Sequence, residues 1–139
     1  MNMQLEIRDM IKAHTIRDAF NKVYPFLKIE FVTGRHNPGE PTAATDLIHD
    51  DLLLGQISSD LKKGSIVIDP GDTVAFIEQT FQERFGLPVQ VFRKQKNNWI
   101  ETTKTDQLTL ARQNEIGKEA SAPATAITIG DRYLEDGQY

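Results

Sequence analysis

Cysteine is absent from the sequence. Disulfide bonds, thiolate zinc sites and cysteine nucleophiles are therefore excluded. A chain without cysteine is compatible with a reducing compartment, and we expect this protein to be cytoplasmic. Its stability has to come from an apolar core, which a chain of 139 residues with 39% hydrophobic residues is long enough to form.

An excess of positive charge is also absent, since 20 acidic residues outnumber 16 lysines and arginines and leave a net charge of −4. We expect no nucleic-acid partner, because phosphate contacts require clustered lysine and arginine side chains. No apolar run approaches the ~20 residues that a membrane helix needs. The first residues include acids and no apolar run, so we expect neither a signal peptide nor a membrane partner.

Recognisable catalytic and metal-binding patterns are missing as well. The three histidines lie in separate segments, and no serine lies in a Gly-x-Ser-x-Gly pattern. The run His49-Asp50-Asp51 contains metal-ligand residue types, but on a helix His49 and Asp50 would meet Leu53 and Leu54 four residues further on. We therefore expect no enzyme activity, no metal and no cofactor.

The most regular pattern in the chain predicts a helix over 73–85. Its apolar face consists of Val74, Ile77, Phe81 and Phe85, widened by Phe76. Polar residues, Glu78 among them, cover the other side. Asp72 or Thr73 can cap the first turn. Gly86 and Pro88 mark the end, because glycine favours a helix C-cap and proline prevents the helix from restarting.

Strands are predicted on both sides of this helix. The alternating run 26–32 and the β-branched run 65–68 are typical of strands, and we expect these two to lie side by side. The segments 89–94 and 99–103 predict a hairpin with its turn in the asparagine-containing stretch between them. A last strand is expected at 126–129.

These elements predict an α+β fold, with a mixed sheet of four to five strands packed on one main helix, 73–85. Apolar spacing over about 4–24 predicts an additional N-terminal helix, with Thr15 as an alternative N-cap for a second helix over about 16–24. A long insertion, 33–64, separates the first two strands. The expected organisation is a single domain over 1–139, made of a helical extension 1–25, a core 26–130 and a tail 131–139.

Two further glycines are expected to end short helices. The first helix lies between 43 and 54, with Thr45 as its cap and Gly55 at its end. The second follows the hairpin over about 108–116 and ends at Gly117.

The caps and turns around the main helix resemble those of ubiquitin-like β-grasp domains. The matching stretches are Asp69-Pro70-Gly71-Asp72-Thr73-Val74, Phe85-Gly86-Leu87-Pro88, Val91-Phe92 and Asp106-Gln107-Leu108-Thr109-Leu110. The likeness covers roughly 65–110 and implies the fold of this part. About thirty residues separate the first two predicted strands, where ubiquitin has a tight hairpin. The chain ends in Gly137-Gln138-Tyr139 without a terminal Gly-Gly, so conjugation chemistry is not implied. The chain also resembles small bacterial proteins, a likeness that implies no function.

The predicted hairpin directs attention to two aromatic residues. If its turn has an even number of residues, Phe92 and Trp99 share one face of the sheet, while the aliphatic residues of both strands share the other. The aliphatic face should meet the main helix, which places both rings on the outer face unless the N-terminal helix or the C-terminal tail covers them. Arg93, Lys94 and Glu101 are their charged neighbours.

Aromatic and arginine side chains are the usual anchors of protein interfaces. The sequence therefore predicts a non-catalytic protein-interaction module that binds a protein partner, or a second copy of itself, through Phe92, Trp99, Arg93, Lys94 and Glu101. The alternative is a small-ligand-binding protein or minor enzyme with its site near the glycine- and proline-rich loop 34–42. That loop lacks the spacing of a phosphate-binding loop.

Overall fold

The computed structural model describes residues 2–33, 47–48 and 51–122. Nine helices and strands lie within these ranges, together with a short 3₁₀ turn at Thr103–Thr105. They are β1 (Met3–Ile7), α1 (Ala13–Val23), β2 (Leu27–Phe31), α2 (Leu54–Ile57), β3 (Gly64–Ile68), α3 (Val74–Phe85), β4 (Val89–Gln95), β5 (Asn98–Glu101) and α4 (Leu110–Ala120). The predicted α+β class is confirmed.

The strands of the described part form two antiparallel sheets rather than one mixed sheet, with orders β1-β3 and β2-β4-β5. The predicted pairing of 26–32 with 65–68 is wrong, because Ile66 lies opposite Leu5 of β1 and Ile29 lies opposite Val91 of β4. An unpredicted strand, β1, occupies the place beside β3. The predicted last strand, 126–129, and the tail lie outside the described residues.

The N-terminal segment corrects the predicted helix over about 4–24, since residues 3–7 form a strand and the helix begins only at Ala13. Leu5 and Ile7 are buried, whereas Glu6 between them is exposed. This alternation has a period of two, and pairing with β3 buries its apolar side. Apolar residues at positions 5 and 7 followed by others at 10 and 11 suit both the period of a strand and that of a helix. Local spacing therefore could not decide between a strand and a helix.

Helix α3 matches its prediction at both ends. The Thr73 hydroxyl accepts a hydrogen bond from the Phe76 N–H at 3.1 Å, and Gly86 adopts the left-handed conformation with φ of 71°. The predicted apolar residues Val74, Ile77, Phe81 and Phe85 are all buried. Phe76 does not widen this face, because it lies on the solvent flank and is 54% exposed.

The two glycines expected to end short helices lie inside helices instead. Gly55 belongs to α2, and α4 continues through Gly117 to Ala120. A Cβ atom on Gly117 would lie 2.9 Å from Phe26 Cβ and 3.1 Å from Arg93 Cγ. Glycine is therefore required at position 117 because α4 approaches β2 and β4 closely, and not because the helix stops there.

The apolar core lies between the helices and the inner faces of the two sheets. Its largest fully buried side chains include Phe20 of α1, Phe31 of β2, and Phe81 and Phe85 of α3. The last two rings pack with their centroids 6.1 Å apart. The core fixes the inner face of β2-β4-β5, so the opposite face of this sheet points away from α3.

Candidate functional site

The β4–β5 hairpin has the even turn on which the predicted placement of Phe92 and Trp99 depends. Lys94 lies opposite Trp99 and Phe92 opposite Glu101, which leaves a two-residue turn at 96–97. Lys96 has a φ of 56°, as the first position of such a turn requires. Because directly opposed residues and alternate residues share a face, Phe92 and Trp99 lie on the same side of the sheet.

A lysine from β2 joins this side, since Lys28 lies opposite Phe92. We define the lysine–aromatic face as Lys28, Phe92, Lys94, Trp99 and Glu101. Lys28 was not predicted to belong here, because its strand was expected to pair with 65–68. The register of β2 against β4 is a contact between distant segments, and no local pattern encodes it.

The two rings of the face are not bare, because lysine ammonium groups lie over them. Lys28 Nζ is 5.4 Å from the centroid of the Phe92 ring and 5.1 Å from that of Trp99. Lys94 Nζ lies 5.9 Å from the Trp99 centroid. These distances allow cation–π attraction. Phe92 is buried, with 9% of its surface exposed, and Trp99 is half-buried.

Arg93 does not belong to this face, which corrects its predicted place among the site residues. It lies opposite Ile100 on one side and Leu27 on the other, and so points to the inner side of the sheet. Its Nη1 donates a hydrogen bond of 2.7 Å to Gln113 Oε1 of α4. Strand alternation separates it from Phe92 and Lys94, and it holds α4 against β4 instead.

The carboxylate of Glu30 connects the face to α1. Lys28 Nζ lies 3.3 Å from Glu30 Oε2, and Arg17 Nη1 of α1 lies 3.5 Å from Glu30 Oε1. Glu30 therefore lies between two cations. The Lys28 ammonium group is positioned both by this carboxylate and by the two aromatic rings.

A half-buried carboxyl group lies where β5 ends. Glu78 Oε2 accepts a hydrogen bond of 2.9 Å from the Val91 N–H, and the Thr102 hydroxyl donates one of 2.9 Å to the Val91 carbonyl. Burial raises the pKa of Glu78 to about 7; the bond from Val91 opposes the rise, and the charges of Asp106 and Glu101 add to it. The sequence placed Glu78 on the solvent side of α3, because helical periodicity does not reveal that β4 covers this position.

His14 and Asp51 form a structural contact. The His14 N–H donates to Asp51 Oδ1 at 2.9 Å, and His14 Nδ1 lies 2.6 Å from Oδ2. Both hydrogen bonds lower the pKa of Asp51, and the one from the His14 backbone N–H has the larger effect. Asp51 therefore binds the first turn of α1, which gives this member of the His49-Asp50-Asp51 run a capping role. His49 and Asp50 lie outside the described residues.

Within the ranges that the structure describes, no group of three or more histidine or acidic side chains is arranged to hold a metal ion. None of the helices in those ranges is long and apolar enough to cross a membrane.

The alternative site near loop 34–42 lies outside the described residues. A cleft of about 270 Å³ has Val32 and Thr33 in its lining. Ser58, Ser59 and Asp60 contribute polar groups to this lining, which also includes Gln82 and Gly86 at the end of α3.

The chain was compared with protein-family models, with curated proteins and with solved structures, and none of them matches it. The resemblance to ubiquitin-like domains over 65–110 therefore stays a prediction.

Proposed function

We propose that this protein is a non-catalytic protein-interaction module whose lysine–aromatic face binds an acidic segment of a protein partner. The observation that carries the proposal is the half-buried Trp99 ring lying within 5.1 and 5.9 Å of two lysine ammonium groups. A partly exposed indole supplies a large, rigid contact area, and aromatic anchors of this kind dominate the binding energy of many interfaces.

The position of the charges indicates the kind of partner, because both ammonium groups lie beside the partly exposed Trp99 ring, whereas the Glu101 carboxylate belongs to the residue opposite the buried Phe92. The whole chain is acidic, with a net charge of −4, yet Lys28 and Lys94 place positive charge over the rings of this face. Glu30, the nearest carboxylate on β2, already lies between Lys28 and Arg17. A partner carboxylate could bind an ammonium group while its aliphatic part contacts the indole, which combines charge complementarity with apolar contact.

Trp99 is the single tryptophan of the chain, so intrinsic fluorescence reports directly on this face. We expect titration with poly-L-glutamate to change the Trp99 emission and the effect to weaken with salt, while poly-L-lysine of equal length leaves the emission unchanged. Lys94→Gln should weaken the poly-L-glutamate effect by about threefold or more.

The matched control is Lys118→Gln, which removes the same charge from an exposed position on α4. It should titrate like the unmodified chain. Equal responses to the two polymers, or equal weakening by Lys94→Gln and Lys118→Gln, would exclude this face as the binding surface. Thermal unfolding of each variant establishes that the fold is retained.

We further propose a cytoplasmic location, which the absence of cysteine supports, and a ubiquitin-like character for 65–110, which the order strand, helix, hairpin and following helix supports. Cell fractionation tests the first proposal. For the second, a measured backbone fold that does not superpose on a β-grasp domain over these residues would be decisive against it.

A second candidate function is the binding of a small polar ligand in the 270 Å³ cleft beside Thr33 and Ser58. The observation that favours it is the combination of hydroxyl groups and the Asp60 carboxylate in one concave surface. Thermal-shift screening with metal ions and nucleotides tests it, because a bound ligand raises the melting temperature by mass action. Shifts that persist in Ser58→Ala and Asp60→Asn would assign the ligand to another place.

A further inference from the structure

A second surface lies on the other sheet, between β3 and α3. Val67 of β3 is 51% exposed and Phe76 of α3 is 54% exposed, which is unusual for large apolar side chains. Both line one cleft of about 400 Å³. Its other lining residues are Ile66, Gln79, Thr80, Glu83 and Arg84.

Along this cleft the backbone of β3 meets the side chain of Arg84 and no strand of the described residues. In the described part of the chain, β3 pairs only with β1. Arg84 Nη2 donates a hydrogen bond of 3.1 Å to the Ser65 carbonyl, which marks the side of the strand that faces away from β1. Because the N–H and C=O groups of alternate residues point to the same side of a strand, those of Val67 also face the cleft.

The sequence of β3, Gly-Ser-Ile-Val-Ile, contains neither a charged residue nor proline. Edge strands are usually protected from pairing with other chains by such residues, by bulges or by a covering segment. An uncharged edge of five residues that no other described strand pairs with, contacted by Arg84 at Ser65 and flanked by two exposed apolar side chains, is a surface suited to receiving another strand.

We infer that the strand received here is β3 of a second copy of this chain, paired antiparallel around a two-fold axis at Ile66. This register overlaps all five residues of the two strands and places Ser65 of one copy opposite Val67 of the other. The two small sheets then join into one sheet of order β1-β3-β3-β1. Because of the two-fold axis, the same edge is used by both copies, and each edge donates to and accepts from the other.

The ends of the cleft favour a second copy over an unrelated peptide. Arg84 lies at the Ser65 end, and Phe76 lies eight residues earlier on α3, about 12 Å away along the helix. The two-fold axis exchanges these ends. The Val67 N–H of each copy takes the place of Arg84 at the Ser65 carbonyl of the other, and the released Arg84 guanidinium meets the exposed Phe76 ring of the other copy. Arg84 already lies over the Phe85 ring at 4.8 Å, and a guanidinium between two rings is a favourable cation–π arrangement.

Sedimentation equilibrium of the full chain over micromolar to millimolar concentrations tests the pairing. We expect a reversible dimer, and we expect Val67→Lys to weaken dimerisation by about tenfold or more, because it places a charge on the edge. Met10→Lys is the control, since Met10 is also an exposed apolar residue, at 77%. It should dimerise like the unmodified chain. A monomer at all concentrations, or equal dimerisation of Val67→Lys and the control, would overturn the inference.

The absence of cysteine allows a test of the register. Ser65→Cys and Val67→Cys chains should form a disulfide with each other when mixed under mild oxidation, because opposed residues in an antiparallel pair have Cα atoms about 5.5 Å apart. Each variant alone should cross-link poorly. Self-linking of either variant as efficient as the mixed reaction would contradict an axis at Ile66. Neither experiment depends on the lysine–aromatic face, which lies on the other sheet.

Discussion

Glu78 of α3 occupies a place at the edge of β4 that a strand would otherwise fill: its carboxylate accepts the Val91 N–H at 2.9 Å. On the same residue, the Thr102 hydroxyl donates to the Val91 carbonyl. Two side chains therefore continue the pairing of β4 beyond the last residue of β5. The backbone groups of Val91 on this side stay satisfied although β5 has already ended.

This relationship makes stability depend on pH. The pKa of Glu78 in the folded chain, about 7, lies above its ordinary value of 4.5, so the folded state favours the neutral carboxyl group and unfolding releases a proton between these values. The contribution of Glu78 is full below about pH 4.5 and is lost as the pH rises through 7. Its size is of the order of 3 kcal/mol at most. Urea unfolding at pH 5 and pH 8 measures it.

Glu78→Gln should flatten this pH dependence and leave the chain more stable at pH 8, because the amide oxygen can still accept the Val91 N–H without a buried charge. Glu83→Gln, an exposed position on the same helix, should keep the pH dependence of the unmodified chain. If both variants respond to pH in the same way, Glu78 is not the titrating group.

Arg93 and Lys94 are adjacent in sequence but have different expected roles. Arg93→Ala removes the 2.7 Å hydrogen bond to Gln113 and should reduce the free energy of unfolding by about 1–3 kcal/mol. Lys94→Ala should change it by less than about 0.5 kcal/mol, while reducing the response of Trp99 to poly-L-glutamate. Chemical denaturation and the fluorescence titration together separate the two effects; a reversed pattern would place Arg93 on the binding face.

Two glycines offer a test of the close approach of α4. Gly117→Ala should destabilise the fold by about 1–3 kcal/mol, because its Cβ atom would lie 2.9 Å from that of Phe26 and force the helix outward. Gly71→Ala is the matched control, since a Cβ atom there meets nothing within 4 Å. It should be neutral or slightly stabilising. Equal denaturation midpoints for the two variants would mean that α4 does not press on Phe26 as described.

Phe81 and Phe76 lie on opposite sides of α3. Phe81→Ala empties a fully buried position and should lower the free energy of unfolding by about 3–5 kcal/mol. Phe76→Ala, at a 54% exposed position, should cost less than about 1 kcal/mol. The comparison is made at low micromolar concentration, where the proposed dimer contributes least. A large cost at Phe76 would indicate that another segment covers it.

Local chemistry predicted those parts of the fold that neighbouring residues determine. The ends of α3 follow from the Thr73 hydroxyl and the conformational freedom of Gly86, and the even turn at 96–97 fixes which residues accompany Phe92 on the outer face. These features arise within a few residues, where periodicity and capping are informative.

Features that depend on distant partners could not be predicted in this way. Lys28 joins the candidate site only because β2 pairs with β4, and the Glu78 carboxyl group is partly shielded from water only because β4 lies against it. Glycine is typical of a helix end, but the role of Gly117 is set by its contact with Phe26, ninety-one residues earlier in the chain. In each case the decisive neighbour comes from tertiary packing, and a local pattern contains no information about it.

The contact between α4 and the start of β2 also affects the order in which the segments of the chain fold. The Phe26 N–H donates to Asn114 Oδ1 at 2.9 Å across 88 residues, so this junction closes a very long loop. Closing such a loop costs chain entropy before any contact is gained. A nascent chain emerging from the ribosome would therefore have β1 through β5 available first, and α4 would dock after them, onto a surface that these strands had already assembled.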